Sequence, residues 1–122
     1  MTTPDDRETF APLVLFEYDH KPGTYCLMLS DTHMGGPAAA VFEENGYEGG
    51  GYAWTGAARS AVDAHAPELA DRLAYDPEAG LFVAYGTDRA ALARLGTLLR
   101  EAHGDPAVLR GYVRPDDYDR FD

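Results

Sequence analysis

A chain of 122 residues that is 45% hydrophobic and carries eight tyrosines has the length and make-up of one globular domain. Its 21 acidic residues outnumber its ten lysines and arginines, and the formal net charge of −11 repels nucleic acid and anionic membrane alike. A single cysteine, Cys26, excludes an internal disulfide, and no apolar stretch approaches the ~20 residues of a membrane span.

The charge is unevenly spread. Residues 1–58 hold nine acids against two bases, Arg7 and Lys21, for a net of −7. The first ten residues have neither a basic start nor an apolar run, so no secretory signal is expected and the protein reads as soluble and cytoplasmic.

In chain order, residues 1–12 lack periodicity and read as a flexible leader. Leu13 to Tyr18 and Thr24 to Ser30 are apolar runs flanking a five-residue turn, Asp19-His20-Lys21-Pro22-Gly23, which predicts a β-hairpin. Both runs are near-continuously apolar at their centres, which predicts partial cover on both faces. Residues 38–43 lie between Gly35-Gly36-Pro37 and a glycine-rich loop; six residues are few for a helix, and a third strand is expected. A helix follows from Trp54 or Thr55 to His65, with Thr55 as its N-cap and Ala58, Ala61, Val62 and His65 on one face. Pro67 opens a second short helix to Leu73. Residues 73–75 and 81–85 bracket Asp76-Pro77-Glu78-Ala79-Gly80 as a second hairpin. Thr87 or Asp88 caps an amphipathic helix to about His103, with Leu92, Leu95, Leu99 and Ala102 as its buried stripe and Arg89, Arg94 and Arg100 off it. Pro106 to Tyr112 reads as a last short helix, and 113–122 as an acidic tail. The order βββ-αα-ββ-α, with short links, predicts one α+β domain over residues 13–112: a two-layer sandwich whose mainly antiparallel sheet of about five strands has helices on one face.

The stretch from Glu43 to Trp54 joins the two halves of this plan. It contains four glycines, two tyrosines, the sole tryptophan and three acids. Ordering three successive glycines, Gly49 to Gly51, costs much backbone freedom, so the loop is either mobile or held by its aromatic neighbours. Catalytic readings of the chain are weak. Cys26 and the four histidines (20, 33, 65 and 103) show no paired metal-ligand spacing, so neither metal nor cofactor is expected. Cys26 sits mid-strand, and no Gly-x-Ser-x-Gly elbow is present. The glycine run precedes a helix, as phosphate loops do, but no Lys or Arg occurs between Lys21 and Arg59, and Glu43, Glu44 and Glu48 would repel an anion. Those three acids, or Asp76 with Glu78, would suit acid–base catalysis only in an apolar site, whereas acids beside glycines are commonly solvated.

A binding surface uses the same residues better. Tyr47, flanked by Glu43, Glu44 and Glu48, has the make-up of an acidic contact patch with an aromatic anchor. Tyr52 is a further candidate anchor, although it and Trp54 read first as rings packed inward. Asp76 and Glu78 extend the acidic surface if their hairpin lies beside the loop.

Gly-x-Gly-Tyr-x-Trp at 49–54, followed by Asp-Pro-Glu-Ala-Gly-Leu-Phe at 76–82, resembles the immunity protein 51 family of bacterial polymorphic toxin systems. That family commonly has asparagine where Gly50 stands and aspartate where Ala53 stands. The resemblance covers roughly residues 13–110 and marks Gly49, Gly51, Trp54, Pro77, Gly80 and Phe82 as motif positions. It implies a cytoplasmic antidote without catalytic activity that binds a cognate toxin domain. The acidity of this chain adds the expectation of a basic toxin cleft. A small-ligand regulatory module and a small carboxylate hydrolase are the alternatives from other classes.

Overall fold

The protein is described by a computed structural model over residues 9–113. Residues 1–8 of the expected leader 1–12, and residues 114–122 of the expected tail 113–122, lie outside the described residues. Strands β1 (Val14–Glu17), β2 (Tyr25–Ser30), β3 (Ala74–Tyr75) and β4 (Leu81–Gly86) form one antiparallel sheet in the order β1-β2-β4-β3. Helices α1 (Pro37–Glu44), α2 (Gly51–His65), α3 (Arg89–Gly104) and α4 (Pro106–Arg110) complete the chain, with 3-10 turns at Asp31–His33 and Pro67–Arg72. The α+β class and the one-sided arrangement of helices are as expected.

The strand count is corrected to four. Residues 38–43, expected as a strand, belong to α1. Pro37 occupies the first helical turn, where its missing N–H is harmless and its φ is already helical. Ala38, Val41 and Phe42 fall on one face and are buried. Tertiary contacts supply what eight residues alone cannot. The Phe42 ring meets Trp54 edge-on with centroids 5.5 Å apart. In the same last turn, Glu44 receives two hydrogen bonds from the Arg110 guanidinium, at 3.0 and 3.1 Å.

Strand alternation sets the core. Leu13, Leu15, Leu27, Leu29, Phe82 and Ala84 point to the helices and are buried with Leu92, Leu95 and Leu99 of α3. The register pairs Leu15 with Leu27, Leu27 with Ala84, and Leu29 with Phe82, so one row of side chains crosses three strands. The described chain packs from before Leu13: Phe10 is buried and sits over Gly96, where a Cβ would stand 2.8 Å from its ring. The face away from the helices has the partial cover expected from the apolar runs, with Cys26 buried there but no helix over it among the described residues. Val14, Phe16, Met28 and Val83 are partly exposed on the face away from the helices.

α2 is the central helix. Ten of its fifteen residues are buried, most of them Gly, Ala, Ser or Thr, so the helix can approach both the sheet and α3 closely. It starts at Gly51, four residues before the expected cap. Thr55 is inside the helix, and its hydroxyl donates to the Gly51 carbonyl at 2.8 Å. Ala58, Ala61 and Val62 are buried as expected, while His65 is exposed.

α3 follows its expectation. Asp88 caps it by accepting from the Ala91 amide at 3.2 Å, and it also pairs with Arg72.

Two stability predictions follow from this packing. Trp54 is wholly buried, so Trp54→Ala should lower the unfolding free energy by about 3–5 kcal/mol in urea titration. The second concerns Asp88, whose carboxyl is held below its ordinary value by Arg72 first and the Ala91 amide second. The folded-state value therefore lies below the unfolded one. The resulting stabilisation is present above the unfolded value of roughly 4 and disappears as pH falls through the folded one. Asp88→Asn should lower the Tm at neutral pH and flatten the acid side of the Tm–pH curve below about pH 4. High salt should shrink the difference, because the pair is exposed.

Candidate functional site

The glycine loop is built by a tight reversal after α1. Asn45 Nδ2 donates to the Val41 carbonyl at 3.0 Å. The amides of Asn45 and Tyr47 both donate to the Phe42 carbonyl, each at 3.0 Å. Gly46 and Gly49 hold φ values of 82° and 79°, a region that side-chain-bearing residues rarely adopt. The chain thus folds back onto α1 and drives Tyr47 into the core, where it is 2% exposed. This corrects the expectation that Tyr47 stands outside as an anchor: its ring belongs to the hydrophobic cluster with Phe42 and Trp54.

Tyr52 is corrected the other way. Because the helix begins at Gly51, positions 53 and 54 turn inward and position 52 turns out. Tyr52 is 45% exposed, while Ala53 and Trp54 are buried. Trp54 is packed as expected, lying over the His103 ring with centroids 5.9 Å apart. His103 Nε2 in turn donates to the His33 carbonyl at 2.8 Å.

The two motif stretches, some twenty-five residues apart in sequence, meet at the start of α2. The Gly51 amide donates to the Ala79 carbonyl at 3.0 Å. A Cβ on Gly51 would overlap the carbonyl oxygens of Glu78 and Leu81, and one on Gly50 would overlap that of Ala79. Both positions are therefore glycine because main chain lies where a side chain would go. The hairpin is tighter than expected. Glu78 and Leu81 exchange two backbone hydrogen bonds, at 2.8 and 3.1 Å, leaving Ala79-Gly80 as its tip. Gly80 lies against the Asp31 carboxylate, at 3.4 Å from an ideal Cβ, and Pro77 is partly buried. Phe82 is fully buried, with its ring centroid 6.3 Å from that of Tyr75.

This junction leaves its acids outside. Glu43, Glu48, Asp76 and Glu78 are exposed. Glu44 is exposed too, but the Arg110 hydrogen bonds hold its carboxyl below the ordinary range and partly neutralise it. The first amide of α2 is already taken by the Ala79 carbonyl, which leaves one donor fewer for an anion there. Among the described residues, no group of three or more His, Cys, Asp or Glu side chains is placed to hold a metal ion. A cavity of about 350 Å³ is lined by Arg59, Val62, Asp63, Ala70, Leu73, Ala74 and Tyr75, none of them in the glycine loop. No helix among the described residues is long and apolar enough to cross a membrane.

The spacing of Pro37 to the alanines could have revealed α1, since the same proline rule correctly placed the turn at Pro67. The outward position of Tyr52 had no such signal, because it depends on where the helix begins.

If the glycine seat positions the hairpin, Gly51→Ala should force the two main chains apart and lower stability by on the order of 2 kcal/mol or more. Gly104→Ala, with open space around it, should change stability by less than about 1 kcal/mol. Urea titration of the two variants side by side checks this.

No curated protein and no solved structure matches the chain. One family model does, the one described as immunity protein 51, over residues 13–117. Since that match spans both motif stretches, the sheet and all four helices, the chain belongs to the immunity protein 51 family.

Proposed function

We propose that this protein binds a cognate toxin domain and neutralises it by occupying the toxin's active cleft or the surface beside it. The observation that carries the mechanism is the acidic ridge at the junction of the glycine loop and the 76–80 hairpin. Glu48, Asp76 and Glu78 are exposed there, with Glu43 at the end of α1 and the half-exposed Tyr52 ring following Gly51. No lysine or arginine between Lys21 and Arg59 offsets this charge.

A toxin that acts on nucleic acid carries a basic cleft. An acidic surface is drawn into such a cleft quickly and excludes the anionic substrate by occupancy. An exposed tyrosine adds contact area at little entropic cost, because its ring has few rotamers to lose. The rigid seat of Gly50 and Gly51 holds both halves of the ridge in a fixed relation, so less ordering is required on binding. The mechanism needs no catalysis, metal or cofactor from this chain. Its setting is the cytoplasm of the cell that makes the toxin, and neither nucleic acid nor membrane is a partner.

The test is charge reversal on the ridge. A Glu48→Lys/Asp76→Lys/Glu78→Lys variant should associate with the cognate toxin domain roughly 10-fold or more slowly at low ionic strength. The difference should narrow as salt is raised. Stopped-flow association across a salt series measures both effects. An unchanged association rate at low salt would rule out the electrostatic mechanism.

A further inference from the structure

We propose that the sheet face turned away from the helices is the apolar half of the same docking surface, and that it receives the toxin domain's basic face. The inference rests on the toxin-binding reading above and specifies where the contact area lies.

The face is defined by strand register. Phe16 pairs with Cys26, Cys26 with Tyr85, and Tyr85 with Ala74, which makes one row across all four strands. The adjacent row runs Val14, Met28 and Val83, and the Asp76 amide extends it by donating to the Val83 carbonyl at 3.1 Å. The sheet's other face is packed on α2 and α3, whereas the described residues place no helix over this one. Side chains of the chain's own hairpin shelter Cys26. Tyr18 lies edge-on to Phe16 with centroids 5.6 Å apart, and its hydroxyl lies beside the Cys26 thiol. His20 stacks at a tilt beside Tyr18, 5.2 Å away. Burial pushes both the Tyr18 hydroxyl and the Cys26 thiol up. The result is a preformed, largely aromatic surface, with Tyr85 36% exposed at its centre.

Charge selects the occupant. Asp76 closes one row of the face and is also part of the acidic ridge, so the two surfaces are continuous. Asp31 borders the same hairpin, and Asp19 stands in the β1–β2 turn, where Lys21 is the opposing charge. A second copy of this chain would carry the same net charge of −11 and set the same acids against this border, so it would be repelled. A partner with an apolar centre and a basic surround fits both features, because apolar burial supplies holding strength and opposite charge supplies encounter rate.

The experiment measures binding of the cognate toxin domain in catalytically inactivated form. It uses the full chain and its Tyr85→Ala and Phe16→Ala/Tyr85→Ala variants, each checked for an intact fold by circular dichroism and melting. The expected result is a loss on the order of 10-fold for the single variant and 30-fold for the double, through faster dissociation with association unchanged. That kinetic split separates this face from the ridge, where charge reversal acts on association. A folded Tyr85→Ala variant with wild-type dissociation overturns the proposal. If charge reversal still slows association in that case, the toxin-binding reading survives alone. Failure of the unaltered chain to bind the toxin domain overturns both. Two further outcomes overturn the proposal by naming another occupant. One is a wild-type dimer in sedimentation that Tyr85→Ala disperses. The other is tighter toxin binding on removal of residues 114–122, which would mean that the chain's own end covers the face.

Discussion

The first turn of α2 lies directly against the carbonyl oxygens of residues 78, 79 and 81, with no side chain between. Most of the architecture is tied to that contact. Two glycines make it possible by removing the atoms that would otherwise fill the space. One amide–carbonyl hydrogen bond fixes its register. From this anchor α2 runs across the sheet on a strip of small residues, which allows the helix to approach β4 and α3 closely and leaves Trp54 as the large ring between α1 and α3. The cost of ordering a glycine run is offset because the backbone itself is packed and hydrogen-bonded.

The same anchor sorts side chains by polarity. Tyr47 and Trp54 turn into the cluster around Phe42, whereas Glu43, Glu48 and Tyr52 turn out. On the hairpin, Phe82 turns in, and Asp76 and Glu78 turn out. Aromatic burial therefore holds the loop, and the acids play no part in holding it. Exposed ion pairs such as Glu44 with Arg110 link neighbouring elements but contribute little stability, since water and salt compete for them. The exposed acids Glu43, Glu48, Asp76 and Glu78 make the surface costly for the isolated protein through mutual repulsion. A partner of opposite charge would relieve that repulsion.

The sheet explains how two apolar runs come to have only partial cover on one side. Near-continuous apolar strands commonly lie between two layers. Here one parity of residues packs on the helices. The other, from Val14 and Phe16 to Val83 and Tyr85, forms a second aromatic surface that tyrosines partly shield. Such a surface keeps an apolar strand pattern without a second layer of this chain. It also accounts for a lone cysteine that is 2% exposed on a face whose other residues are half-buried or exposed, since Tyr18 lies beside it.

Several features were settled by sequence alone because they depend on neighbours along the chain. Apolar runs and the turn residues between them located both hairpins. Leucine spacing and Asp88 defined α3, and two ordered motifs pointed to the family. Acid excess in the first half was equally plain. Tertiary structure decided the rest. Whether residues 38–43 were strand or helix depended on Phe42 finding Trp54, a contact that only the folded chain makes. Whether Tyr47 or Tyr52 reached the surface depended on α2 beginning at Gly51, and that start is set by the carbonyls of a hairpin twenty-seven residues on. Glycine in a sequence says that a side chain is absent; only the folded chain shows what occupies its place.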